Sequence, residues 1–139
     1  LLKPDTSPAY LPLLMESLAG MRAIGKSRLE ELIYDIKPQL NQFNTVNIIA
    51  TSIRQEWVSA LTNLKREGIN TSVIYIDPVS FGSIDSSQSG LELLHLSDIR
   101  TYLVRKDDSL NEALSKPLDD QIWTDSESAT TSPLGNPGL

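Results

Sequence analysis

Two short apolar runs on either side of one helix constrain this chain more than any other feature. The first is Val46-Asn-Ile-Ile-Ala-Thr-Ser52 and the second is Thr71-Ser-Val-Ile-Tyr-Ile-Asp77. Between them, Trp57, Val58, Leu61 and Leu64 recur at helical spacing. A strand, a crossover helix and a second strand of this length make a β-α-β unit with parallel strands. Ile48, Ile49 and Ala50 form a continuous apolar run, which predicts a strand covered on both faces. Gly68 follows the crossover helix, where a left-handed terminator belongs.

The rest of the chain can be read as additions to this unit. Leu11, Leu14, Met15 and Leu18 predict a helix over 9–20, with Pro12 in its first turn, where a missing N–H costs little. Ser27 and Glu30 have the spacing of a capping box. They predict a second helix from Arg28 to about Leu40, presenting Leu29, Leu32, Ile33, Ile36 and Leu40, and Pro38 bends or ends it. Both helices are expected to cover the sheet. After Asp77-Pro78, residues 79–89 read as a Ser- and Gly-rich loop. A short helix around Leu91 and Leu94 follows, then a third strand from Ile99 to Val104. Asp108 or Ser109 caps a last helix through Leu114. The expected fold is α/β and three-layered, a small parallel sheet of about three strands flanked by helices. Residues 1–8 read as an irregular lead-in, 9–116 as the domain, and 117–139 as a flexible polar and acidic tail in which Ile122 and Trp123 either dock or stay exposed.

Composition excludes several classes of function. The 139 residues suffice for one domain, and a hydrophobic fraction of 40% supports a core. A net charge of −6 argues against a nucleic-acid surface and against anionic lipid. The sequence holds no cysteine, which removes disulfides and thiolate metal sites. No apolar run approaches the roughly 20 residues of a membrane span. The absence of a signal-peptide shape leads to the expectation of a cytoplasmic chain, and its start at Leu1 to the expectation of a fragment or processed product.

Four candidate sites follow. Gly20-Met-Arg-Ala-Ile-Gly25-Lys26-Ser27 matches the phosphate-binding loop, in which backbone N–H groups and a helix N-terminus cradle phosphate. That mechanism needs a strand leading into Gly20, and the spacing before Gly20 is helical. Gly25, Lys26 and Ser27 are therefore read as a decoy at a helix–loop–helix joint. Thr51 and Ser52 lie at the carboxyl end of the first strand, where open α/β sheets place their sites. The alternative is that they cap the next helix, which is the reading favoured here. Asp77 occupies the equivalent end of the second strand, where Asp-Pro is also ordinary turn chemistry. His95 is the only histidine and is expected half-buried on a helix. No residue is assigned a catalytic role, and no cofactor is expected.

Taken together, several segments resemble one family. These are Leu18-Ala19 with Gly25-x-Ser27-x-Leu29; Val46 to Ser52; Leu64-x-x-x-Gly68; Val73-Ile-Tyr-Ile-Asp77-Pro78-x-Ser80-Phe81-Gly82; and Tyr102-Leu-Val-Arg105-Lys-Asp107-x-x-Leu110 with Ala113-Leu114. Their order is similar to the C-terminal half of a bacterial von Willebrand factor A-like domain of unknown function, whose members accompany MoxR-type AAA ATPases and often carry membrane helices. The resemblance implies that the three strands are the last three of a six-stranded, Rossmann-like sheet. It also implies an adhesion-type metal site split across the fold, with its Thr position at Ser27. The later Asp of that site falls at Thr51 and Ser52, where this sequence has hydroxyls and no carboxylate. The implied function is a non-enzymatic interaction module whose partner is an AAA ATPase. A half-sheet also exposes the edge at Val46, Ile48 and Ala50, to be met by a protein partner or a second copy. The alternatives are a nucleotide-binding protein using Gly20 to Ser27 and a small-molecule enzyme using Thr51, Ser52 and Asp77.

Overall fold

A computed structural model describes residues 7–22, 24–84 and 88–118. Leu1 to Thr6 of the expected lead-in, and the expected tail beyond Leu118 with Ile122 and Trp123, lie outside the described residues. The elements are α1 (Tyr10–Ala19), α2 (Leu29–Ile36), β1 (Thr45–Ala50), α3 (Gln55–Arg66), β2 (Asn70–Ile76), α4 (Gln88–Leu96), β3 (Arg100–Val104) and α5 (Leu110–Ala113). The three strands form one parallel sheet in the order β1-β2-β3. The chain is thus the expected α/β fold, a small open sheet flanked by helices in a Rossmann-like layout.

The register decides which residues form the core. Ile48 pairs with Val73, and Ala50 with Tyr75. Val73 in turn pairs with Thr101, and Tyr75 with Leu103. Because side chains alternate across a strand, all of these project to one face of the sheet. Trp57, Val58, Ala60, Leu61 and Leu64 of α3 are buried there, with Ile33 of α2 and Leu94 of α4. Ile69 and Ile99 close the cluster at the amino ends of β2 and β3. Gly68 has a φ of +87°, so α3 ends in the left-handed residue its sequence calls for.

The two faces are covered unequally. On the other face stand Asn47 and Ile49 of β1, Ser72, Ile74 and Ile76 of β2, and Tyr102 of β3. Among the described residues, only a thin layer lies over them, α5 beside β3 and the segment through Pro117 and Leu118. Ile49 is 67% exposed. The apolar run Ile48-Ile49-Ala50 therefore does not mark a strand covered on both sides at this position, because no described element packs over β1 there.

Helix α1 also departs from expectation. It buries none of its residues and makes no substantial contact with any other element. Leu11, Met15 and Leu18 remain at least half exposed along one stripe. Helix α2 begins one residue later than the Ser27 cap predicts. Arg28 is its N-cap, and the carboxylate of Glu31 accepts the Arg28 backbone N–H at 3.1 Å. Leu32 stays 47% exposed while Ile33 is buried. Pro38 ends α2 in a short 3-10 turn over Lys37–Gln39, as its missing N–H requires.

Candidate functional site

Strand β1 pairs with β2 through all six of its residues, from Thr45 opposite Asn70 to Ala50 opposite Tyr75. It has no second strand neighbour among the described residues. The other border of the sheet is less free, since the Leu118 N–H donates to the Thr101 carbonyl at 2.7 Å. Val46, Ile48 and Ala50, the residues expected at the edge, turn their side chains into the core. A molecule meeting this edge meets its backbone and the side chains of the opposite face, Asn47 and Ile49. Asn47 is already oriented, its Oδ1 accepting the Ser72 hydroxyl at 2.5 Å.

The edge is bounded at one end by an exposed aromatic and at the other by a hollow. On its amino side, Asn41 to Asn44 form a tight turn. Asn41 Oδ1 accepts the Phe43 N–H at 2.9 Å, and the Asn41 N–H donates to Asn44 Oδ1 at 2.8 Å. The turn holds Phe43 out to solvent at 86% exposure. On the carboxyl side a hollow of about 340 Å³ opens between β1 and the starts of α2 and α3. It is lined by the apolar Leu29, Ile49, Ala50 and Trp57, by the charged Arg28, Glu30 and Arg54, and by Thr51 and Ser52.

That hollow contains two of the candidate metal positions. Thr51 and Ser52 are exposed at its mouth. Ser27 is not part of it, although its neighbour Arg28 is. Among the described residues, no group of three or more His, Cys, Asp or Glu is placed to share a metal ion. The carboxylate nearest this donor set in sequence, Glu30, is also drawn to Arg28 at 3.8 Å. The hydroxyl pair does not cap α3 as expected, because the cap position falls on Arg54, with no side-chain hydrogen bond.

Asp77 is used by the fold. Its carboxylate accepts the Val79 N–H at 3.1 Å and lies 3.8 Å from Arg105 Nε. The Ser80 hydroxyl donates to the Asp77 carbonyl at 2.7 Å and accepts the Lys106 N–H at 2.9 Å. Asp77 therefore ties the ends of β2 and β3 together, which is the turn role its sequence suggests. Asp108 plays a similar part, its carboxylate accepting the Arg105 N–H at 2.8 Å. A helix, α1, leads into Gly20, so the strand that a phosphate-binding loop requires does not precede Gly25, Lys26 and Ser27.

A broader trough of about 1040 Å³ runs over the open face to the amino ends of the strands. At that end Lys65 donates to both the backbone carbonyl and the carboxylate of Asp98. This hydrogen bond, and next the lysine charge, hold the Asp98 carboxyl below its ordinary value of 3.8. His95 lines the same end and is exposed rather than half-buried. The only imidazole of the sequence thus sits at the amino end of a parallel sheet, and Thr51, Ser52 and Asp77 sit at its carboxyl end. About 17 Å of strand separates the two ends.

The fold and the open edge define an α/β module whose β1 border has no strand partner among the described residues. No family model matches the chain, and no curated protein sequence matches it. Among the described residues no helix is long and apolar enough to cross a membrane.

Proposed function

We propose that this chain is a non-enzymatic protein-interaction module that works through the β1 edge. The observation that carries the reading is the edge itself. Six consecutive residues lack a second strand partner among the described residues, and an exposed isoleucine stands on the open side. Natural sheets ordinarily protect such edges with charge, proline or a bulge. Thr45–Ala50 contains none of these. An extended segment added here gains main-chain hydrogen bonds along the strand, with Asn47 and Ile49 selecting its side chains. The separation of His95 from the hydroxyls supports a binding role over hydrolytic chemistry, since a nucleophile needs its base within hydrogen-bonding reach.

The resemblance to half of a von Willebrand factor A-like domain points to a MoxR-type AAA ATPase as the partner, in the cytoplasm and within a membrane-anchored parent protein. Binding of the chain to a purified MoxR-type ATPase, followed by biolayer interferometry, tests this. Saturable binding is expected, weakened at least about tenfold by Ile49→Lys, which is a loss of about 1.4 kcal/mol. Absence of saturable binding, or binding indifferent to Ile49→Lys, overturns the assignment.

A further inference from the structure

The β1 edge has the properties of a surface that fits itself. The strand carries no charged residue, in a chain whose net charge is −6, so two copies can approach here without opposing like charges. Head-to-tail addition of β1 to the β3 border of another copy is hindered by Leu118, which occupies the Thr101 carbonyl. An isologous pairing of β1 with β1 meets no such obstacle among the described residues.

We infer that the β1 edge of the isolated chain is occupied by a second copy of the same strand, antiparallel about a two-fold axis at Ile48, with Phe43 of each copy seated in the hollow beside Thr51 and Ser52 of the other. This rests on the interaction reading above and adds a second copy as the occupant of the edge when no other partner is bound. With Ile48 opposite its counterpart, Asn47 faces Ile49, Val46 faces Ala50 and Thr45 faces Thr51. The axis runs perpendicular to the sheet, so both open faces stay on one side. Asn47 and Ile49 of the two copies then interleave across the join, and Ile49 gains the cover it lacks. Phe43 stands two residues before β1, which brings it level with the residues just after β1 in the other copy. Those residues are where the hollow lies. Leu29, Ile49, Ala50 and Trp57 give it an apolar lining, and beside Glu30 it carries Arg28 and Arg54, cations that attract the face of an aromatic ring. A protruding aromatic at one end of a strand and an apolar hollow at the other are the two halves that a two-fold axis joins twice.

Sedimentation velocity of the full chain over a range of concentrations tests the pairing. A reversible dimer is expected. Ile49→Lys and Phe43→Ala should each weaken it at least about tenfold with an unchanged circular dichroism spectrum. Both side chains are more than half exposed in the protomer and support none of its core. The absence of cysteine from the sequence allows the register to be read directly. An oxidised mixture of Asn47→Cys and Ile49→Cys chains should cross-link between unlike chains faster than between like ones. A chain monomeric at every concentration overturns the inference, as does a dimer that either substitution leaves intact or faster cross-linking between like chains. If a monomeric chain still loses ATPase binding through Ile49→Lys, self-pairing fails alone and the interaction reading stands. If neither association occurs, both fail.

Discussion

Gly90 shows how narrowly single residues set this packing. A Cβ at this position of α4 would lie 2.6 Å from the Cβ of Ile53. No rotamer of Ile53 moves its own Cβ, so Gly90→Ala must displace α4 or the loop that follows β1. We expect a loss of about 1–3 kcal/mol in urea unfolding, the usual range for overpacking. Leu61 is fully buried beneath the sheet. Leu61→Ala should cost about 2–5 kcal/mol, read from the same transition. Asp98 gives a test in pH. Its folded carboxyl lies below the ordinary 3.8, so the Lys65 contact contributes fully above that pH and is lost as pH falls through the lowered folded value. The Asp98 side chain is 94% exposed, so solvent keeps the contribution small. Asp98→Asn should lower the urea midpoint slightly at pH 7 and flatten its fall below about pH 4 by the same small amount.

Among the elements, α3 and α1 make opposite cases. Both have apolar residues at helical spacing. Those of α3 are buried against α2, β2 and α4, whereas α1 buries nothing. Periodicity reports that a helix has an apolar stripe; it does not report that a neighbour exists to cover it. A chain beginning at Met21 should therefore unfold within about 0.5 kcal/mol of the intact one, the range of substitutions away from packed sites. A larger loss would show that α1 stabilises the domain.

For the whole molecule, two candidate mechanisms predict a thermal response that the interaction reading does not. A ligand at a hundred times its dissociation constant stabilises by about 2.7 kcal/mol. Magnesium alone, acting at Ser27, Thr51 and Ser52, or Mg-ATP, acting at Gly25 to Ser27, would raise the melting temperature accordingly. We expect neither to do so. A rise with Mg-ATP that Lys26→Ala removes would establish the phosphate loop in place of the interaction reading.

The β-α-β unit, the third strand and the end of α3 at Gly68 were legible in the amino-acid sequence, because each rests on local chemistry. Short apolar runs favour strands, a 3.6-residue period favours a helix, and a residue with positive φ favours glycine. The turn role of Asp77 was legible for the same reason, since its partner Val79 is two residues away. Exposure was not legible. Ile48 and Ile49 are identical residues side by side, yet one is 5% exposed and the other 67%. Alternation sends them to opposite faces, and only the tertiary arrangement puts α3 over one face and leaves the β1 side of the other open. The hollow beside Thr51 and Ser52 was hidden likewise, because it joins Arg28 and Leu29 to residues more than twenty positions later. The sequence by itself determined what each segment becomes. The tertiary structure decided what each segment meets, because burial depends on contacts between residues far apart in the chain.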